Sequence, residues 1–165
     1  MDYKKIIQED LEKAMKDREE LKLSVLRMIT AAVVNKEKEK RYKTVSQEPD
    51  LSQEDLEKKS LLSEEEFVSL LQSEAKKRKD SVAEYEKGGR KDLAEKESKE
   101  IEIIQEYLPE QMPEEEIKKI AKEAIANLGA AGPKDIGRVM AEVVPKTKGK
   151  ADGSSVSRIV KELLS

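Results

Sequence analysis

The feature that most constrains this chain is the placement of its apolar residues, which recur every third or fourth position along most of its length. Ile7, Leu11, Ala14 and Met15 mark one such face. Leu21, Val25, Met28 and Ala32, widened by Leu26, Ile29 and Val33, mark a second. Phe67, Leu70, Leu71, Ala75, Val82 and Tyr85 mark a third. This is the period of an α-helix, whereas a strand would alternate at every second residue. The pattern predicts an all-α fold. Disorder is the competing reading for a chain that is 42% charged and 36% hydrophobic, but disordered segments do not space their apolar residues periodically. With so little apolar material, nearly every Leu, Ile, Val and Met must be buried. That favours helices with narrow apolar stripes and charged outer faces.

Local signals divide the pattern into elements. Asp2 is a candidate N-cap for the first helix. A second helix starts after Arg18 and runs to about Arg41, and its charged tail, Lys36 to Lys43, is expected to project into solvent. Pro49 and a polar composition predict an extended loop over 44–62, with at most one weak helical turn near Asp55 to Lys59. Ser63 and Glu66 form a capping box, and Gly88-Gly89 ends the helix it opens. Arg78 falls on the apolar stripe of that helix, as a snorkelling side chain paired with Glu74 one turn earlier. A fourth helix spans about Lys91 to Tyr107, its charged first half a solvated strut, and Pro109 stops it.

Beyond Pro109, Pro113 at a first helical position and Glu114 to Glu116 form a helix start signal, because acidic residues complement the helix dipole. Three short helices follow. Ile117, Ile120, Ala121, Ala124, Ile125 and Leu128 precede Gly129. Ile136, Val139, Met140 and Val143 lie between Pro133 and Pro145, with the helix ending before Pro145. Val156, Ile159, Val160, Leu163 and Leu164 follow the cap candidate Asp152. The sequence therefore reads as an N-terminal helical bundle of long helices over 1–109 and a C-terminal three-helix module over 110–165.

The residue inventory bears on function. The chain has no Cys, hence no thiolate ligand, disulfide or cysteine nucleophile, and no His, the commonest proton shuttle and metal ligand. Ser24, Ser154, Ser155 and Ser157 have no His base to activate them. Its 36 Asp and Glu pair by chance on every helix, and nearly all fall on solvent faces, where no pKa is raised for acid catalysis. No cofactor, metal or membrane contact is expected. The first residues, Met1 to Lys5, lack the apolar core of a signal peptide, and a cytoplasmic location is the expectation.

Charge is unevenly distributed. Residues 133–165 hold seven Lys and Arg against four Asp and Glu, while 1–132 hold 26 against 32. Lys146, Lys148 and Lys150 flank Thr147 and Gly149 in a turn that leads into a helix N-terminus, a place that favours phosphate. With Lys134, Arg138 and Arg158 they form a candidate grip on a nucleic-acid backbone. The alternative, which spacing alone favours, is a solvated loop of ordinary lysines. A second basic run, Lys76 to Lys79, splays around its helix and makes no single stripe.

Several blocks, in order, resemble the YqeY family: Leu23-Ser24-Val25-Leu26-Arg27-Met28; Lys77-Arg78-Lys79-Asp80-Ser81; Glu86-Lys87-Gly88-Gly89-Arg90-Lys91-Asp92-Leu93-Ala94; Glu102 through Gln111; Asp135-Ile136-Gly137-Arg138-Val139-Met140; and Lys148-Gly149-Lys150-Ala151-Asp152-Gly153. Residues 44–62 are longer than the family's usual connection. The resemblance implies two helical parts, the second similar to the tail domain of the B subunit of the glutamine-dependent aspartyl/glutamyl-tRNA amidotransferase. In that enzyme the tail helps hold tRNA while the amidation chemistry occurs in other domains, which have no counterpart here. The expectation is a non-catalytic accessory protein binding tRNA or another structured RNA, with no DNA partner. The alternatives are a protein-interaction module docking on a tRNA-linked enzyme or ribosomal partner, and a carbon–nitrogen ligase activity with glutamine as amide donor, implied by homology only.

Overall fold

A computed structural model describes residues 3–165; the cap proposed at Asp2 lies outside the described residues. The described residues are all-α, with eight helices and no strand: α1 (Tyr3–Asp17), α2 (Glu20–Gln47), α3 (Gln53–Ser60), α4 (Glu64–Lys87), α5 (Lys91–Gln105), α6 (Glu114–Leu128), α7 (Ile136–Thr147) and α8 (Gly153–Leu163). A single 3₁₀ turn, Pro133–Asp135, leads into α7. The helices assemble into two compact units, Met1–Tyr107 and Leu108–Ser165.

In the first unit the periodic residues build the core. Ile7, Ala14, Val25, Leu26, Ile29, Val33, Phe67, Leu71 and Ile104 are buried. Met15, read as part of the α1 stripe, is instead 59% exposed, because Ala14 turns the buried face of α1 away from it. Tyr3 stacks on Phe67 with ring centroids 4.3 Å apart, fixing the start of α1 over α4.

The charged tail of α2 does not project freely, and 44–62 is not an extended loop. Helix α2 continues to Gln47, and α3 packs back against it. Ser52 caps α3 by accepting the Asp55 backbone N–H at 3.1 Å, and its hydroxyl donates to the Asp55 carboxylate at 2.6 Å. Glu48 at the corner receives Lys59, and Leu51 and Leu56 are half-buried. The tail itself is latched. Glu37 accepts the Leu62 N–H at 3.2 Å, and Lys40 donates to the Leu61 carbonyl at 2.9 Å and to Glu66 at 2.6 Å. Charged side chains supply most of the bonds that hold this corner, so apolar periodicity alone under-reads it.

Helix α4 opens with the anticipated capping box, the Ser63 hydroxyl accepting from Glu66 N and the Glu66 carboxylate from Ser63 N. It ends at Gly88-Gly89, where Gly89 takes φ +71°. Helix α5 then returns along α4. Its charged first half is no solvated strut. Ala94 is buried and Ser98 half-buried, and these small side chains let the two backbones approach.

The second unit closes around Ile117, Ala121, Ala124, Val139, Val143, Val156, Ile159 and Val160. Pro113 is the N-cap of α6, one position before the first helical residue, and Gly129 ends α6 in the left-handed region. Helix α7 runs through Pro145 to Thr147 where the sequence suggested a stop. A proline there removes one backbone N–H bond. The buried Thr147, whose hydroxyl donates to the Val143 carbonyl at 3.1 Å, keeps the last turn helical.

Candidate nucleic-acid interface

The α7–α8 turn is built on an anchored backbone. Gly149 adopts φ +79°, the conformation that reverses the chain between Lys148 and Lys150. Thr147 accepts the N–H groups of Lys150 and Ala151, each at 3.0 Å, and Ala151 is buried. The Lys150 carbonyl in turn accepts the Met112 N–H at 2.6 Å, tying the turn to the segment that leads into α6. Lys146, Lys148 and Lys150 all have exposed side chains on this fixed frame.

The other three candidates are dispersed. Arg158 lies in α8 and bonds Glu114 at the start of α6 and Glu162 at 3.0 Å, which hold its guanidinium charged. Lys134 and Arg138 sit at the far end of α7, Arg138 being eight residues, or about 12 Å of helix, from Lys146. The structure thus brings the three turn lysines together and leaves Lys134 and Arg138 apart from them.

Local carboxylates temper the positive charge. Arg138 pairs with Asp135 at 3.1 Å and Lys146 with Glu142 at 3.0 Å, and both carboxyls are held below their usual range. For Asp135 the main cause is the Ala131 backbone N–H, ahead of Arg138. For Glu142 it is Lys146. The helix start that the sequence marked as a phosphate site is filled by the chain itself. Asp152 accepts the Ser154 N–H at 3.2 Å and the Ser154 hydroxyl at 2.6 Å. A carboxylate at that place repels a second anion, so any grip on phosphate must come from the lysine side chains.

Away from this turn, Arg78 is neither basic surface nor snorkelling. Its side chain is 13% exposed and reaches Glu74, as the sequence suggested, but also Glu100 on α5 at 3.0 Å. A cross-helix partner of this kind leaves no trace in local spacing. Among the described residues there is no cluster of three His, Cys, Asp or Glu placed to hold a metal ion. Nor is any helix there long and apolar enough to cross a membrane.

The fold and its residues define an all-helical protein of two units with a lysine-bearing turn in the second. Comparison with known families places it: the chain belongs to the YqeY family, described as Yqey-like protein, matched over residues 4–52 and 48–164. The two matched stretches overlap over residues 48–52, at the α2–α3 corner. The chain is also similar to "Altered inheritance of mitochondria protein 41, mitochondrial" of Pyrenophora tritici-repentis. The two are 28% identical over 161 residues, covering 96% of this chain and 78% of that protein.

Proposed function

We propose that this protein is a non-catalytic accessory that binds tRNA or another structured RNA through its C-terminal unit. The observation that carries the reading is the α7–α8 turn, which holds three exposed lysines on a backbone fixed by Thr147, Ala151 and Met112. A fixed frame limits the ordering penalty to the lysine side chains themselves. The unit has no Phe, Tyr or Trp on which a base could stack, so phosphate contacts and shape would supply recognition. Arg158, Lys134 and Arg138 would extend the contact along an RNA that spans the unit. A chain without Cys suits a reducing compartment such as the cytoplasm.

The test is a binding titration against bulk tRNA at two salt concentrations, with Lys146→Ala/Lys148→Ala/Lys150→Ala beside the wild type. With four to six phosphates neutralised, log K should fall with log salt at a slope of about −3 to −5. The triple variant should lose most of the affinity while keeping its helical circular dichroism. Binding that ignores salt, or that the variant retains, refutes the reading.

A further inference from the structure

Three hollows on the N-terminal unit run into one another. The first, about 520 Å³, lies between α1 and α2 and reaches Phe67. A second, about 160 Å³, shares Lys4, Val33 and Phe67 with it. A third, about 490 Å³, shares Val34 with the first and Glu37 and Leu61 with the second. Met15, Val34 and Leu61, which are 59%, 43% and 51% exposed, line this continuous groove. Isolated exposed apolar side chains need no explanation, but three along one groove make a surface suited to a partner.

We propose that the groove receives an amphipathic helix of a partner protein, one that carries carboxylates along the edge lying against α2. The α2 wall presents Arg27, Thr30, Val34, Lys38 and Arg41 in steps of three and four, one face of the helix. From Arg27 to Arg41 that face is about 21 Å long, matching roughly four turns of a docked helix. The other groove-side cations are already neutralised, Lys4 by Glu37 at 2.8 Å and Lys58 by Glu54 at 2.7 Å. Arg27, Lys38 and Arg41 have no ion-pair partner among the described residues. Of the other lining carboxylates, Glu12 and Glu57 belong to the facing helices α1 and α3, and Glu64, at the start of α4, accepts the Tyr3 hydroxyl at 3.2 Å.

The groove therefore has an apolar floor and one basic wall, and that asymmetry selects the occupant. An RNA backbone would place phosphates over Met15, Val34 and Leu61 and beside Glu12. A second copy docking by two-fold symmetry would set the cation line of α2 against itself. A helix with apolar residues at i, i+3, i+4 and i+7 and an acidic edge satisfies floor and wall together.

The test uses a fluorescent synthetic helix of about 16 residues, with leucines at that spacing and glutamates along one edge, titrated into the full chain and followed by anisotropy. A twin carries lysines in place of the glutamates. The acidic helix should bind, and the basic twin should bind at least about tenfold more weakly. Val34→Glu, at an exposed position, should weaken the acidic helix by about tenfold or more. The charge-reversed variant Arg27→Glu/Lys38→Glu/Arg41→Glu should prefer the basic twin, an outcome that a simple loss of folding cannot produce. Equal binding of the twins, no binding of either, or unchanged preference in the reversed variant overturns the proposal. So does a dimer of the chain that Val34→Glu dissociates, which would make a second copy the occupant.

Discussion

The hydroxyl of Tyr107 donates to the Asp10 carboxylate at 2.6 Å, joining α1 to the end of the N-terminal unit across 97 positions of sequence. Burial and then Asp10 push the Tyr107 hydroxyl well above the usual tyrosine range, since ionisation would place a second negative charge beside the carboxylate. Nearby, Lys22 bonds Glu106 at 2.8 Å, which raises the lysine against the opposing effect of burial.

Removing this hydroxyl should destabilise the unit. Tyr107→Phe deletes the donor and leaves Asp10 partly buried without it, a loss of about 1–2 kcal/mol. The pH dependence has a definite sign. The unfolded tyrosine ionises near pH 10, whereas the folded one resists ionisation. Its contribution is therefore complete below pH 10 and declines as pH rises above that value. Thermal unfolding of wild type and Tyr107→Phe should differ most at neutral pH, and the difference should shrink toward pH 11.

The Arg78 bridge between Glu74 and Glu100 is a mostly buried ionic cluster, all three side chains being 13–15% exposed. Arg78→Met would leave Glu100 without its partner and Glu74 with Lys77 alone at the α4–α5 contact, and should cost about 3 kcal/mol. Burial works to raise the Glu74 carboxyl, but Lys77 and Arg78 outweigh it and the net direction is down. A depressed carboxyl adds stability above its unfolded pKa and loses it as pH falls through the folded value. Wild type should thus lose more stability than Arg78→Met between neutral pH and pH 3 in urea unfolding. Arg78→Met/Glu74→Gln/Glu100→Gln should recover much of the neutral-pH loss.

Two serine caps differ in what they hold. Ser63 completes a reciprocal box with Glu66, whose carboxyl is lowered chiefly by Lys40 and then by the Ser63 backbone N–H. Ser63→Ala should destabilise the N-terminal unit by about 1 kcal/mol in urea unfolding. Ser52 caps a helix of only eight residues, so Ser52→Ala should act locally. Amide exchange should quicken in α3 while the global midpoint stays near the wild-type value.

The sequence carried the helical class and the stripes that bury Leu26, Leu71, Ile104 and Ile159, because burial and period are both local properties. It also carried the Ser63 box, Gly129 and the Asp152 cap, each marked by residue type at a fixed offset. What it hid were partners distant in the chain: Glu100 for Arg78, Leu62 for Glu37, Met112 for Lys150. Helix α3 is signalled by Ser52 three residues before Asp55, a signal masked by Pro49 and the polar composition around it. At the lysine turn the residue types were legible. That Lys134 and Arg138 would sit apart from the three turn lysines depended on the folded geometry.

The carboxylates that pair with the basic residues give the proposed RNA site a test in the direction of gain. Glu142 and Glu114 each hold a cation that the proposal assigns to phosphate, Lys146 and Arg158 respectively. Glu142→Gln and Glu114→Gln release those cations and remove a negative charge from the approach of an RNA. Glu114 is exposed and Glu142 is half-buried at the surface; ion pairs in such places add little to folding, so stability should barely change. Each variant should tighten tRNA binding by roughly two- to fivefold at low salt, with a smaller gain at high salt as screening takes over. Losing one phosphate contact instead, as in Lys150→Ala, should weaken binding and flatten the salt slope by about 1. An unchanged affinity in both glutamine variants would mean that the bound RNA does not pass over this turn, and the site would have to be sought elsewhere on the protein.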